Sequence, residues 1–394
     1  MFARDFQAAK YRNQQVVCGR KKVRGTLMMG KMSLLVLLIL LLDASYALAN
    51  TWTRRVTSGE RPKERSTPAV ATLHKSIYLF GGVKDDFSNF QNTFYNDLYR
   101  FNTSNDTWNL LTPQGILPPP RAFAASVGVE HRGLIFLFGG ANYSPTFSNF
   151  ITYDDLWVYN VAANTWKQLH PVNSRPVGRS RPNLWVVGDR LYLFGGFTAS
   201  STTLNDLWVY DIRTNTWTEI IPNGTLPPAR HEAQAGDRVQ KGKLTVYGGE
   251  TIDSTGNFQT LNDTWEFDLR TNTWKEVTPI DALNITPARN YGSATVINNN
   301  LFLHGGDLPG GETGCGSPFP QNPTEELWRF DLVKRIWTQV QPDGDPLVRL
   351  KRTNAAKVGN RMYIFGGYDF QCSNQTGLGQ IWNLDVYSYE PFKN

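Results

Sequence analysis

Short apolar segments recur along the chain, and each of six ends in a Gly-Gly pair. The pairs lie at residues 81–82, 139–140, 195–196, 248–249, 305–306 and 366–367. The segment Leu191-Tyr192-Leu193-Phe194 is representative, and short apolar runs of this kind are typical of buried β-strands. Self-similarity at a regular interval is the signature of a repeat protein. The chain is therefore predicted to contain six copies of one unit.

A second predicted strand follows each Gly-Gly pair and carries an aromatic residue. These aromatic residues are Tyr99, Trp157, Trp208, Trp265, Trp328 and Trp382. Nine residues after each of the first five comes a tryptophan, at positions 108, 166, 217, 274 and 337. A constant separation predicts a tight hairpin of fixed register, since a slip of one residue would turn every side chain to the opposite face.

The sixth copy lacks this tryptophan, because position 391 is proline. Trp52, however, precedes the first Gly-Gly pair by 29 residues, and the other five tryptophans precede the next pair by 29 to 31 residues. Trp52 is therefore predicted to lie in the outer strand of the last unit. Six four-stranded units, one of them built from both chain ends, predict a closed ring without exposed sheet edges.

This pattern resembles the Kelch-repeat family over essentially all of residues 50–390. The resemblance rests on the Gly-Gly pair after an apolar strand, the aromatic residue near an Asp-Leu pair in strand three, and the tryptophan in strand four. It implies an all-β fold, a six-bladed Kelch-type β-propeller that spans residues 50–394. It implies much less about function, because one fold carries many unrelated sites.

The first 49 residues do not belong to the repeat. Basic residues at positions 21, 22, 24 and 31 precede an apolar run from Leu34 to Leu42, and Ala47-Leu48-Ala49 follows. This order predicts a signal peptide that is cleaved after Ala49, with Met32 as an alternative start. The protein is then secreted. Because the run is about half the length of a membrane-spanning helix, no stable membrane span is expected, and an uncleaved signal anchor is the alternative.

The signal segment also accounts for the net charge. It carries eight of the 40 Lys and Arg residues and two of the 34 Asp and Glu residues, which leaves 32 of each sign in the remaining chain. The formal charge of +6 therefore belongs to the segment. No global charge favours nucleic acid as a partner.

Two cysteines remain beyond the signal segment, Cys315 and Cys372. In a secreted domain they predict one disulfide, whereas two free thiols are the alternative in a reducing compartment. Both lie in strand two–three loops, in neighbouring units five and six. No His/Cys spacing indicates a metal site, and no cofactor is predicted.

Secretion also makes the N-x-[ST] sequons relevant. Glycosylation is predicted at Asn102, Asn142, Asn223, Asn284 and Asn374.

The length of each unit varies almost only between strands two and three. These loops emerge at the end of the sheet where strand one begins, and this end is called the loop-rich face below. Function usually lies in such loops, although loops also simply tolerate insertions. Arginines recur where strand one begins, at Arg65, Arg121, Arg179, Arg230, Arg289 and Arg349.

Five units carry an acid where strand three begins: Asp97, Asp155, Asp206, Asp263 and Glu326. Strands one and three are about 10 Å apart, so these acids are predicted to pair with the arginines. In the sixth unit the equivalent residue is taken to be Gln380, while Arg349-Leu350-Lys351-Arg352 is strongly basic. Unpaired cations are therefore predicted in that unit.

The phrase Phe-Ser-Asn-Phe occurs twice in loops, at residues 87–90 and 147–150. Exposed aromatic surface of this kind marks a binding site. We predict a groove across units six, one and two, with these residues in contact with the ligand: Phe87, Phe90, Tyr143, Phe147, Phe150, Tyr368, Arg65, Arg349 and Arg352. The alternative is that the two loops pack on each other and bury their rings.

Chemical motifs favour a binding module over an enzyme. A copper site needs clustered His and Tyr, but the five histidines fall in four different units, and His304 is predicted to lie in the core. No catalytic residue is predicted. The sequence therefore predicts a secreted, monomeric module that binds a protein, peptide or glycan, with an acidic partner favoured by the cations. A sugar-modifying enzyme of the epimerase kind is the alternative.

Overall fold

The computed structural model describes residues 50–86, 91–144, 146, 149–236, 239, 241–277, 286–310, 322–345, 349–370 and 380–391. These residues form six antiparallel sheets in a β-propeller, which confirms the predicted fold. The inner strands of the first three sheets contact one another in order, and the inner strand of the sixth sheet contacts those of the fifth and the first. Buried side chains pack the fourth sheet against the third and the fifth. The ring is thus closed.

The sheets are numbered here as blades one to six. From the inner to the outer edge, their strands are Ala69–Leu73, Ser76–Phe80, Leu98–Asn102 and Thr107–Leu111 in blade one; Ala125–Val129, Leu134–Phe138, Leu156–Asn160 and Thr165–Leu169 in blade two; Asn183–Val187, Arg190–Phe197, Thr203–Asp211 and Thr216–Ile220 in blade three; Lys243–Tyr247, Thr264–Asp268 and Thr273–Glu276 in blade four; Ser293–Ile297, Asn300–His304, Leu327–Asp331 and Ile336–Val340 in blade five; and Asn354–Val358, Arg361–Phe365, Val386–Glu390 and Thr51–Arg55 in blade six. Gln234 bridges Tyr247 at the inner edge of blade four.

Shorter elements complete the blades. Hairpins extend from the second and third strands toward the loop-rich face, formed by Val83–Asp86 with Gln91–Phe94, Ala141–Asn142 with Ile151–Thr152, Glu250–Ile252 with Phe258–Thr260, and Tyr368–Phe370 with Gln380–Trp382. In blade three the two long strands supply this hairpin themselves. Ser58–Gly59 and Asp343–Gly344 add parallel edges to blades one and six, and Glu130–Arg132 forms a 3₁₀ turn.

The hydrophobic core lies in the seams between blades. At each seam the residue before the Gly-Gly pair packs against the outer-strand tryptophan of the next blade. The ring centroids are 4.8–5.7 Å apart in the pairs Phe80–Trp166, Phe138–Trp217, Phe194–Trp274, Tyr247–Trp337, His304–Trp52 and Phe365–Trp108. His304 is fully buried here, as predicted, and burial lowers its pKa to about 3. One aromatic pair per seam explains the sequence period.

The Gly-Gly pairs allow the chain to bend from the second strand into the hairpin. At the second glycine of blade two, Gly140, φ is +95°. A Cβ atom there would lie 2.7 Å from the carbonyl oxygen of Ala122. Both the left-handed backbone and this close approach exclude a side chain.

Five buried arginines pair with the five predicted acids, which confirms the predicted pairing. The ion pairs are Arg65–Asp97, Arg121–Asp155, Arg179–Asp206, Arg230–Asp263 and Arg289–Glu326, at 2.5–2.7 Å. Each guanidinium also donates to the carbonyl of the first glycine of its pair. The paired acid ties the start of strand three to the start of strand one.

Blade six departs from this arrangement, and the sequence register predicted for it is wrong. Leu350, rather than Arg349, lies where the other blades have arginine, because its backbone N–H and carbonyl make the repeated contacts with Thr324 and Gly306. The Asn383 amide donates to Gly366 in place of the missing guanidinium. The acid position belongs to Asp385, which pairs with Arg54 at 2.8 Å, and not to Gln380.

The aromatic position of strand three in blade six is likewise Tyr387, which pairs with Ile364 on the adjacent strand. Trp382 lies one element earlier, in the hairpin, where it packs on Tyr368 at 5.1 Å. The strand that contains Trp52 pairs with Val386–Glu390 along all five residues. Asn50, just before it, donates its side-chain amide to the Gln341 carbonyl of blade five.

Candidate functional site

Six residues close the central channel at the loop-rich face, and we call them the channel ring. Each lies two positions after the repeated arginine, or after Leu350 in blade six. They are Thr67, Phe123, Arg181, Glu232, Tyr291 and Arg352, and all have φ between 48° and 60°. Left-handed backbone at non-glycine residues costs free energy and persists where the surrounding structure enforces it.

Backbone hydrogen bonds link neighbours in this ring. Phe123 donates to Thr67 at 3.1 Å, and Arg181 donates to Phe123 at 2.8 Å. Arg352 donates to Tyr291 at 2.8 Å, and Thr67 donates to Arg352 at 3.0 Å. Blade two is therefore tied to blades one and three, and blade six to blades five and one, at the centre and independently of their sheets.

The side chains of the ring fill the channel with two cations and two aromatic rings. The guanidinium of Arg181 lies 4.3 Å from the Phe123 ring and 5.3 Å from the Tyr291 ring, and that of Arg352 lies 5.5 Å and 5.1 Å from the same rings. Cation–π contacts of this kind hold arginines against aromatic faces. A cavity of about 160 Å³ lies between these side chains and the inner strands.

Glu232 and Asp85 supply negative charge beside the two arginines. The Arg181 Nε atom lies 2.9 Å from Glu232 Oε1, and Arg352 donates to Asp85 at 3.0 Å. Asp85 comes from the hairpin of blade one and also accepts a hydrogen bond from the Tyr143 hydroxyl. Burial raises the pKa of Asp85, and the nearby Arg352 opposes this shift.

The prediction that blade six carries unpaired cations is wrong. Lys351 is buried and pairs with Asp307 of blade five, Arg352 pairs with Asp85, and Arg349 lies 3.5 Å from Asp369. Burial lowers the pKa of Lys351 to about 8, although Asp307 opposes this shift. The three cations therefore find acids on neighbouring blades or in their own hairpin.

Titratable side chains gather on the side of the face formed by blades four to six. His231 Nε2 lies 3.3 Å from Glu250 Oε2, and Asn290 donates to the other oxygen of Glu250 at 3.0 Å. Burial lowers the pKa of His231, so its imidazole is neutral near pH 7. With Lys351 and Asp307 these residues form the polar arc. In blades one to three, the positions that match His231, Asn290 and Lys351 hold Ser66, Ala122 and Ser180.

Aromatic side chains cross the opposite side of the same face, from the hairpin of blade one to that of blade four. We call this set the aromatic row. Successive ring centroids are 4.8–6.3 Å apart along Phe94, Tyr143, Phe150, Phe197 and Phe258. Phe258 is 56% exposed, and Phe150 is half-buried. The His231 ring lies 4.9 Å from Phe197, so the row meets the polar arc there.

Four residues predicted to bind a ligand lie together at this centre: Tyr143, Phe150, Tyr368 and Arg352. Arg352 lies 5.9 Å from the Tyr368 ring and is joined to Tyr143 through Asp85. Arg65 lies away from them in its ion pair with Asp97, and Arg349 lies at the exposed rim. Phe87, Phe90 and Phe147 fall outside the described residues.

Sequence reasoning missed most of the channel ring and the polar arc. A usable signal was present, because counting two residues from each repeated arginine yields Thr67, Phe123, Arg181, Glu232 and Tyr291. The variety of residue types at this position differs from the uniform arginine before it. A varied position on a constant scaffold is where one propeller can differ from another in function.

A six-bladed ring with a shaped, loop-rich face is the architecture of a propeller interaction module. Residues 37–236 and 89–306 match the family model of the KLHDC2/KLHL20/DRC7 Kelch-repeats domain. Residues 244–385 match that of the Attractin/LZTR1 beta-propeller. The chain belongs to the Kelch-repeat family, and its propeller is a protein-binding module in general.

Several curated relatives are about one-quarter identical to this chain over the matched region. Kelch domain-containing protein 3 of Bos taurus is 27% identical, and the match covers 86% of this chain and 85% of the relative. Kelch domain-containing protein 10 of Homo sapiens is 26% identical, with 83% and 72% covered. The leucine-zipper-like transcriptional regulator 1 homolog of Drosophila melanogaster is 26% identical over 88% of this chain, which spans only 33% of that protein.

Proposed function

We propose that this chain is a secreted, monomeric binding module that holds a protein partner at the centre of its loop-rich face. The observation that carries the proposal is the aromatic row beside the polar arc. Aromatic side chains concentrate binding energy at protein interfaces, and a polar border around them supplies specificity. A segment with apolar side chains would pack on Phe150 and Phe258, with its polar groups toward Glu250, which is partly exposed.

The polar arc favours recognition over catalysis. His231 and Lys351 are both buried, and each has an acid within hydrogen-bond distance. A general acid or base must reach a substrate atom. Because the two groups are engaged with acids beneath the surface of the face, binding is the better-supported function for this arc.

The test replaces Phe150 and Phe258 with serine in one protein. Binding is measured with ligands selected on the wild type from a random peptide display library and from a glycan array. We expect at least a tenfold loss of affinity for the selected peptide, since exposed aromatic anchors are typical hot spots. Because Phe258 is exposed and Phe150 half-buried, most of the fold stability should remain.

Val333→Ser is the matched control. Val333 is 60% exposed, but it lies in the turn between strands three and four, at the opposite end of the blade. This variant should bind as the wild type does. Unchanged binding by the double variant would refute the proposed face. A selected glycan in place of a peptide would assign the partner to another class.

Secretion rests on the signal segment, whose residues lie outside the described part of the chain. Among the residues that the structure describes, no helix is long and apolar enough to cross a membrane. Asn223 is exposed and Asn102 and Asn142 are partly exposed, so all three can accept glycans, whereas Asn284 and Asn374 are not among the described residues. The predicted partners Cys315 and Cys372 also fall outside them.

The secretion proposal is tested by expression in a eukaryotic cell. We expect protein in the medium that begins at Asn50, has the size of one chain in light scattering, and loses one glycan in the variant Asn223→Gln. The intact mass, measured without reductant, shows whether Cys315 and Cys372 form a disulfide or are free thiols. Full-length protein in the cytosol, without added mass, would contradict the proposal.

A further inference from the structure

A second cavity lies away from the loop-rich centre, in the seam between blades five and six. Its volume is about 160 Å³. Ile297 and Phe302 of blade five and Tyr389 of blade six form apolar walls, and Arg329 and Asn50 add polar groups. Arg329 is the feature of this cavity that calls for an explanation.

Arg329 lies in the middle of the third strand of blade five, between Phe302 and Thr338 on the adjacent strands. It is half-buried, and its Nε atom is buried without a hydrogen-bond acceptor. Across the described residues, no carboxylate lies within ion-pair distance of its guanidinium. A cation that has lost part of its hydration and gained no partner is unfavourable.

Blade one contains the same position with its partners in place. Arg100 lies between Tyr78 and Asn109, which correspond to Phe302 and Thr338. Arg100 donates to Asn109 at 3.3 Å and also interacts with the Tyr78 hydroxyl. The Nε atom lacks an acceptor in both arginines, but the guanidinium of Arg100 still has Asn109 and Tyr78 as hydrogen-bond partners.

The opposite wall of the two seams is the same. Tyr389 donates to Asn50 at 2.9 Å, and Tyr159 donates to Asn164 at 2.7 Å in the matching place beside blade one. The two seams therefore differ on the side formed by blade five in one and by blade one in the other. Phenylalanine and threonine replace the two polar partners, and a cavity is present beside the arginine.

We propose that this seam pocket binds a small organic carboxylate. The planar guanidinium of Arg329 matches a carboxylate, which it can engage through two parallel hydrogen bonds. Ile297 and Phe302 would contact the short carbon chain. A dry cavity of about 150 Å³ holds a molecule the size of benzene, so a ligand of about six heavy atoms fits.

The experiment titrates the purified full chain with propionate and follows binding by calorimetry and by thermal stability. We expect saturable binding of propionate, and at least tenfold weaker binding of the neutral analogue propionamide. Arg329→Gln should lose at least tenfold in affinity. Arg100→Gln, at the matching position of blade one, should bind propionate as the wild type does.

A second variant keeps the arginine and removes the pocket. Phe302→Tyr with Thr338→Asn restores the partners found in blade one, so it should also bind at least tenfold more weakly while the charge stays. If Arg329→Gln fails to fold, this double variant still tests whether the pocket binds propionate. Equal losses in the Arg100 and Arg329 variants would overturn the proposal. Equally tight binding of inorganic phosphate would overturn the carboxylate assignment.

Discussion

Replacing Arg121 with methionine is expected to lower the free energy of unfolding by about 3–5 kcal/mol, the cost of breaking a buried ion pair on one side. The Arg121 side chain is 0% exposed. It donates to both oxygens of Asp155 and to the Gly139 carbonyl, and its guanidinium lies 3.9 Å from the Tyr153 ring. Methionine fills the volume but leaves the Gly139 carbonyl without its donor and the Asp155 carboxylate with only the Trp157 indole N–H as a side-chain donor.

Two further variants separate the ion pair from packing. Arg121→Lys keeps the charge but cannot donate two parallel hydrogen bonds, so it should lose part of the same free energy. Arg349→Met removes a 43% exposed arginine and should change stability by less than about 0.5 kcal/mol. Urea denaturation measures all three. A loss for Arg121→Met no larger than that for Arg349→Met would show that the repeated ion pair is not structural.

The architecture was predictable because the seams repeat. The residue before each Gly-Gly pair and the outer tryptophan of the next blade meet once per blade, so packing imposes their spacing on the sequence. The predicted register of blade six is wrong because the hairpin of this blade carries Trp382. Counting from Gly-Gly reaches this residue first, whereas Asp385-Val386-Tyr387 is the true counterpart of Asp97-Leu98-Tyr99 in blade one.

The candidate site was less predictable because its contacts are not local. Lys351 meets Asp307, 44 residues away, and Arg352 meets Asp85, 267 residues away. A count of charges within blade six cannot include these partners. Ring closure places blade six between blades five and one, so the charge balance of the centre becomes visible only when the neighbours of each blade are known.

Trp52 tests whether ring closure stabilises the fold as an internal seam does. Its side chain is buried and lies 5.0 Å from the Tyr389 ring and 5.4 Å from the His304 ring. Trp52→Ala should therefore cost about 3–5 kcal/mol, as expected for a buried tryptophan. The loss would also open the seam beside the buried, neutral His304.

Two tryptophans provide matched comparisons for Trp52→Ala. Trp217 occupies the equivalent internal position against Phe138, so Trp217→Ala should cost about as much. Trp382 is only half-buried in the hairpin of blade six, and Trp382→Ala should cost distinctly less. Denaturant midpoints and slopes for the three variants give the comparison. If Trp52→Ala resembled Trp382→Ala rather than Trp217→Ala, the first strand would be a loosely held edge. If it resembles Trp217→Ala, the N-terminal strand is as integral to the propeller as any internal one.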